Sequence, residues 1–331
     1  MARLLHVHEM KWGKALTTAK ALREYAAADN FDVDEEFAAI VEMLDHLIPA
    51  EDADAVKELE RAFKKQGITL HLGRTVVQVD RTRRLVIADD GTEAAYDRLL
   101  IATGSLPFIL PVPGKDLAGV LAYRDIADTQ AMIDAARRYQ HAVVIGGGLL
   151  GLEAANGLKA RGMDVTVVHL MPWLMERQLD RTAAQMLQQS LEAKGLRFCL
   201  EAKTERLVAG NDGRVAAVRL ASGETLAADI VVMAVGIRPN VALAQSAGLF
   251  CNRGIVVTDT LQTFDPRIYA IGECVAHRGQ TYGLVAPLFE MAKVCANHLA
   301  GYGIGRYGGS QVSTKLKVTG IDLFSAGNFM G

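Results

Sequence analysis

Short runs of aliphatic and β-branched residues punctuate this chain at regular intervals, and helix-length stretches of mixed polarity separate them. The apolar runs are Leu4-Leu-His-Val-His8, Ala38-Ala-Ile-Val-Glu42, residues 68–72, residues 96–104, His141-Ala-Val-Val-Ile145, Asp164-Val-Thr-Val-Val-His169, residues 196–200 and residues 228–236. Their length and bounding Gly and Asp residues predict strands. Helices are predicted over residues 14–25, 52–67, 152–160 and 180–195. Polar turns at Asp90-Gly91, Asn211-Asp-Gly213 and Ser222-Gly223 read as hairpin connections inside two meanders.

The pattern occurs twice. Each copy runs strand, helix, strand, meander and closing strand, the first over residues 38–104 and the second over residues 164–236. Both closing strands start near an acid and end in Ala-x-Gly: Tyr96-Asp-Arg-Leu-Leu-Ile-Ala-Thr-Gly104 and Ala228-Asp-Ile-Val-Val-Met-Ala-Val-Gly236. A duplicated α/β unit is the expectation.

At 331 residues, with 50% hydrophobic and 6% aromatic side chains, the chain has enough apolar mass for two domain cores. A net charge of −2 gives no electrostatic basis for nucleic acid or an anionic membrane as partner. No apolar run approaches the roughly 18 residues that span a bilayer, and the N-terminal residues lack a signal peptide's apolar centre. The cytoplasm is the expected compartment. Cys199, Cys251, Cys274 and Cys295 form no C-x-x-C or similar pair, which argues against zinc, an iron–sulfur cluster or a redox dithiol. No metal site is expected. His6 and His8 alternate along a strand without further ligands nearby, and read as half-exposed strand residues.

The chemistry concentrates where a strand meets a glycine turn: His141-Ala-Val-Val-Ile-Gly-Gly-Gly-Leu-Leu-Gly-Leu-Glu153. Gly146, Gly148 and Gly151 fit G-x-G-x-x-G, with Gly147, Leu149 and Leu150 between them. The first glycine permits a tight turn, the second lets the backbone approach a pyrophosphate, and the third lets the helix pack on the strand. The helix N-terminus then directs its N–H groups at the anion. Roughly 20 residues on, an acid ordinarily binds the ribose hydroxyls of NAD; this chain has His169 there. A neutral imidazole can accept one hydrogen bond and a protonated one favours a 2′-phosphate, so NADH and NADPH both remain open. The first copy has no such loop. Between Leu4–His8 and residues 14–25 lies Glu9-Met-Lys-Trp-Gly13, and one glycine does not replace three where a backbone must approach phosphate.

Further phrases carry a resemblance. They are residues 96–105, Pro111-Val-Pro-Gly-Lys-Asp116, Val144-Ile-Gly-Gly-Gly-Leu-Leu-Gly-Leu-Glu-Ala-Ala-Asn156, Val167-Val-His-Leu-Met-Pro172, Leu174-Met-Glu-Arg-Gln-Leu-Asp180, Met233-Ala-Val-Gly-Ile-Arg-Pro-Asn240, Ile271-Gly-Glu-Cys-Val-Ala-His-Arg-Gly279 and Ser313-Thr-Lys-Leu-Lys-Val-Thr-Gly320. With two dinucleotide modules, Thr-Gly after the first meander and a late Ile-Gly-[Asp/Glu] motif, the chain resembles the FAD-dependent pyridine nucleotide oxidoreductases. From about His71 onward it is most similar to the flavin domain of NAD(P)H nitrite reductase large subunits. Residues 40–67, with Val41-Glu-Met-Leu-Asp45 and Pro49-Ala-Glu-Asp-Ala-Asp54, look more like a dihydrolipoamide dehydrogenase. The chain thus reads as a composite or a rearranged remnant.

That resemblance implies an α/β, Rossmann-like, three-layer fold with two dinucleotide-binding domains, its N-terminal FAD half incomplete and its C-terminal domain truncated. It implies an FAD-type domain split over residues 1–110 and 245–312, an NAD(P)H domain over 113–240, and the start of an interface domain at 313–331. Thr103, Gly104, Gly272 and Glu273 would line the FAD site, with Glu273 where most of the wider family has Asp. Glu153 would lie at the nicotinamide–flavin junction as the catalytic candidate, and Gly236 would let the chain pass close to bound NAD(P)H. The implied activity is hydride transfer from NADH or NADPH to FAD, and then electron delivery to an acceptor protein or domain outside this chain. The alternative is a non-catalytic NAD(P)H-binding module or a fragment that has lost FAD. Homo-oligomers are left open. No C-x-x-x-x-C follows the first module, so dithiol reduction is not expected. Sirohaem and iron–sulfur regions are also missing before Gly331, so nitrite reduction by this chain alone is not expected.

Overall fold

The computed structural model describes residues 4–8, 38–43, 53–301, 303–311, 313–318 and 320–327. The expected helix over residues 14–25, the Glu9–Gly13 stretch and the acids at residues 51–52 lie outside them. The chain forms two compact units, residues 1–106 with 238–310 and residues 107–237 with 311–331.

In the first unit a five-stranded sheet has the order Ile268–Ala270, Arg98–Ala102, Leu4–His8, Ala38–Glu42, Ile68–Leu72. Every neighbouring pair is parallel, with Leu4 opposite both Ala38 and Arg98. Strands buried on both faces have no use for polar alternation, which is why Arg98–Ala102 reads Leu-Leu-Ile-Ala after its first residue. Leu99, Leu100 and Ile101 are all 0% exposed. The helix Ala53–Lys65 begins one residue later than expected and covers the sheet edge through Phe63, which packs with Ile40, Leu59 and Leu70. The helix Val285–Leu299 buries Leu288, Met291, Ala292, Cys295 and Ala296, a stripe at helical spacing. An antiparallel meander of Val76–Asp80, Leu85–Ala88 and Glu93–Ala95 precedes the closing strand.

The second unit has the same plan. Its sheet runs Val120–Ala122, Ile230–Met233, His141–Ile145, Asp164–Val168, Arg197–Cys199, again parallel throughout. The meander is Thr204–Ala209, Val215–Leu220 and Thr225–Ala227. Position by position, the closing, first, second and third strands and the added edge strand occupy the same places in both sheets. Asp180 caps the helix Arg181–Glu192 by accepting the Ala183 N–H, the arrangement a short acidic side chain favours. The hairpin Ser313–Val318 and Ile321–Ala326, which the sequence reading sets apart as the start of another domain, groups with this unit. Leu316 and Val318 enter its core beside Leu152 and Leu158.

No helix among the described residues is long and apolar enough to cross a membrane.

Leu100→Ala removes a fully buried side chain from the middle of the first sheet. It is expected to lower stability by about 2–5 kcal/mol, read as a shift of the urea midpoint in far-ultraviolet circular dichroism.

Candidate functional site

The glycine loop joins the strand His141–Ile145 to the helix Leu149–Lys159. The helix starts three residues earlier than the apolar pattern indicates, because Gly148, extended at φ −85° and ψ −174°, already serves as its N-cap. Leu149, Leu150 and Gly151 therefore form the first turn. Gly146 has φ +121°, and a β-carbon on it would meet the Ala234 carbonyl oxygen at 2.3 Å. A β-carbon on Gly151 would lie 1.9 Å from the Gly146 carbonyl oxygen. Neither position admits a side chain without moving backbone. At Gly148 a β-carbon would meet nothing within 4 Å, so the space over the helix end is open. No side chain caps that end and no acid stands in the first turn. The first-turn N–H groups have no intrahelical partners, and with the helix dipole they make a seat for an anion.

Gly147 is held from both sides. Its N–H donates to His169 Nδ1 at 3.0 Å, and its carbonyl accepts from the Met175 N–H at 3.0 Å. Because Nδ1 accepts, the ring proton lies on Nε2, which faces the Trp173 carbonyl at 3.1 Å and a Glu176 carboxylate oxygen at 3.2 Å. His169 is buried at the end of the strand Asp164–Val168. The bond from His169 is the main cause that holds the Glu176 carboxyl below the usual carboxylate range. Leu174 and Met175 are buried against the loop, whereas Leu170 and Met171 are exposed. Met175 adopts φ +52°, a left-handed conformation that non-glycine residues seldom take.

Glu153 lies one turn into the same helix. Burial pushes its carboxyl up from the ordinary range, opposed by the Lys317 N–H. That backbone N–H donates to Oε1 at 3.0 Å. Gly236, at φ +107°, has open space where a β-carbon would stand, and its carbonyl accepts the Phe108 N–H at 2.9 Å.

In the first unit, Thr103 and Gly104 follow the closing strand at its C-terminal edge. Thr103 Oγ1 donates to the Asn240 carbonyl at 2.6 Å, and the Asn240 N–H donates to the Gly104 carbonyl at 2.8 Å. Gly272 and Glu273 open a short 3-10 turn after the strand Ile268–Ala270. Gly272 has φ +90° with nothing within 4 Å of a would-be β-carbon. Glu273, 2% exposed, accepts the Ser105 hydroxyl at 2.7 Å. Glu42, also buried, ends the second strand of this sheet. Sequence reasoning passes over Glu42, although an acid closing a Val-rich strand is its readable signal, and over Glu176, which no spacing rule marks. Further along, His277 Nε2 and Arg278 converge on Asp259. Arg278 first and then His277 hold its carboxyl down at about 2. Among the described residues no group of three or more His, Cys, Asp or Glu is placed to hold a metal ion.

Two parallel-sheet units, one with a side-chain-free loop at a helix start and both with buried groups at the carboxyl ends of their strands, define an α/β protein of the FAD/NAD(P)-binding oxidoreductase class. A family model described as pyridine nucleotide-disulphide oxidoreductase matches residues 74–292, and a second of that description matches residues 35–90. The chain belongs to the pyridine nucleotide-disulphide oxidoreductase family. It is 54% identical over 267 residues to an NAD(P)H nitrite reductase of Bacillus subtilis (strain 168), covering 81% of this chain and 33% of that protein. It is 49% identical over 265 residues to the assimilatory nitrate reductase electron transfer subunit of the same organism, covering 80% and 34%. Among solved structures, a ferredoxin reductase from Rhodopseudomonas palustris superposes with a TM-score of 0.84 at 28% identity, covering 97% of this chain and 81% of that one. The chain spans about a third of the length of the two Bacillus relatives. Family membership implies FAD and NAD(P)H as cofactors.

Two outcomes test the loop and its collar. Gly151→Ala is expected to destabilise by about 1–3 kcal/mol through overpacking, whereas Gly157→Ala, in open space on the same helix, stabilises by up to about 1 kcal/mol; thermal midpoints distinguish the two. The Glu176 carboxyl, depressed by His169, contributes stability that is present above the ordinary carboxylate range and lost as pH falls through its lowered value. Glu176→Gln therefore removes part of the acid-side loss of thermal midpoint seen in the parent protein.

Proposed function

We propose that this chain is an NAD(P)H-dependent FAD oxidoreductase that draws electrons from a reduced nicotinamide and delivers them to an acceptor protein or redox domain. The observation that carries this reading is the glycine loop. Gly146 and Gly151 leave no room for side chains, and Gly148 leaves an open, uncapped helix end that suits a pyrophosphate. On this reading the second unit binds NAD(P)H over residues 146–151 and beside Gly236. The first unit holds FAD.

The first unit presents groups that suit a flavin dinucleotide at three positions. Glu42 offers a buried carboxylate at a strand end for ribose hydroxyls. Glu273, oriented by Ser105, offers another for ribityl hydroxyls. Gly272 leaves the space over its turn clear for phosphate. Thr103 and Gly104 act by locking the closing strand to Asn240. FAD, when bound, supplies hydride acceptance from the nicotinamide and release of electrons onward. Protein groups in such a step chiefly position the reactants. Glu153, made less acidic by burial and anchored on the Lys317 N–H, is suited to orient the nicotinamide end rather than to exchange protons. An acceptor outside this chain accords with the two Bacillus relatives, one a nitrite reductase and the other an electron transfer subunit of a nitrate reductase.

A second reading has one observation in its favour: no G-x-G-x-x-G occurs in the first 60 residues, so FAD would lack its usual phosphate loop. The chain would then bind NAD(P)H alone.

The purified protein is expected to be yellow, with flavin absorbance near about 450 nm and stoichiometric FAD released on denaturation. A colourless protein that binds NADH supports the second reading instead. Gly148→Val, whose side chain would occupy the open helix end, is expected to weaken NADH binding at least about tenfold with its thermal midpoint little changed; undiminished binding would overturn the assigned site.

A further inference from the structure

The strand-end position that ordinarily carries a ribose-binding acid is occupied here by His169, and the structure shows both of its ring nitrogens engaged. Nδ1 accepts the Gly147 N–H, and Nε2 donates towards the Trp173 carbonyl and Glu176. Both ring nitrogens are thereby occupied within the protein, and neither is left to meet a phosphate. Behind it stand two acceptors, a backbone carbonyl and a carboxylate, the latter within 3.2 Å of Nε2.

We propose that Glu176, positioned through His169, serves as the displaced acid of this dinucleotide site and makes it select NADH over NADPH. The inference rests on the coenzyme reading of residues 146–151 given above. Acceptors at the ribose edge welcome hydroxyl donors, whereas a carboxylate repels the nearly two negative charges of a 2′-phosphate. Electrostatics of this kind separates partners that share all their other contacts. The cations close in sequence to Glu176 are Arg177 and Arg181, and both are exposed. Arg177 neighbours Glu176 directly and bears on its charge in the opposite direction.

His169 is a positioning residue in this scheme. It replaces the direct carboxylate with a fixed ring that ties the glycine loop on one side and the acid on the other. The collar is specific: a β-carbon on Gly147 would lie 2.8 Å from the imidazole Cγ and 2.7 Å from Leu174 Cδ2. Loop, ring and acid therefore hold one arrangement.

The test uses calorimetric titration of the intact protein with NAD+ and NADP+, the oxidised forms, so that no electrons move. The parent protein is expected to bind NAD+ at least about tenfold more tightly than NADP+. Glu176→Gln is expected to cut that ratio at least about threefold, mainly by tightening NADP+ binding, and Arg177→Ala to leave it unchanged. A purely structural role for Glu176 would weaken both coenzymes alike, and that result would overturn the inference. Equal or tighter binding of NADP+ by the parent protein would overturn it without any variant, as would loss of NADP+ binding in Arg177→Ala alone. Failure of both coenzymes to bind the parent protein would overturn the coenzyme reading itself and this inference with it.

Discussion

Two glycines in the second unit approach so closely that a β-carbon on Gly151 would stand 1.9 Å from the Gly146 carbonyl oxygen. Much of that unit follows from this contact. It fixes how near the helix Leu149–Lys159 lies to the strand His141–Ile145, and so lets Leu152, Ala155 and Leu158 bury against the sheet. It also directs the start of the helix, with its unpaired N–H groups, past the carboxyl end of the strand. In an open parallel sheet that is the edge at which ligands bind. A side chain at Gly151 would push the helix start off the loop, and one at Gly146 would strike the backbone at Ala234 after the neighbouring strand.

The loop is then held by the segment that follows the next strand. Gly147 donates its N–H to His169 and accepts from Met175, so the middle of the loop contributes neither group to a ligand. The cost is visible in Met175, which is fully buried at φ +52°, a conformation of order 1–3 kcal/mol above the usual ones. Such strain persists where surrounding packing over-determines it, and here Leu174, Leu179 and the Trp173 indole bond to the Leu179 carbonyl supply that packing. A rigid loop loses little freedom when a ligand arrives. Strain and preorganisation are two aspects of one device.

The strands are legible in the sequence because burial leaves a compositional mark: residues 141–145, 164–168 and 230–233 are almost wholly Val, Ile, Ala and Met. The repeated order of runs and turns likewise anticipates the matching strand order of the two sheets. Boundaries are less legible. The apolar pattern starts this helix at residue 152, three residues after its actual start at Leu149, since the first turn contains Gly151, a poor helix former on propensity, and only the extended backbone of Gly148 shows where it begins. The collar cannot be read at all. The bond between His169 and Glu176 spans seven positions through irregular backbone, where neither helical nor strand periodicity applies. Glu42 illustrates the converse: its strand is evident from the apolar run, but its burial gains meaning only once the strand is seen as second in a parallel sheet.

The two copies thus share a scaffold and differ in how they present charge. In the first unit, carboxylates stand directly at strand or turn ends, Glu42 after one strand and Glu273 beside another, the latter oriented by a serine hydroxyl. In the second unit the strand-end place belongs to an imidazole, and the carboxylate sits a step further out. A carboxylate drawn out of water needs hydrogen-bond donors to remain charged, and the two units supply them differently: Ser105 for the buried Glu273, His169 for the half-buried Glu176. In each arrangement a donor, the serine hydroxyl or the imidazole Nε2–H, orients the carboxylate. On the proposed reading, both carboxylates serve as acceptors for dinucleotide hydroxyls. The duplicated fold thus keeps one scaffold while its two strand-end positions, Glu42 and His169, carry different residues.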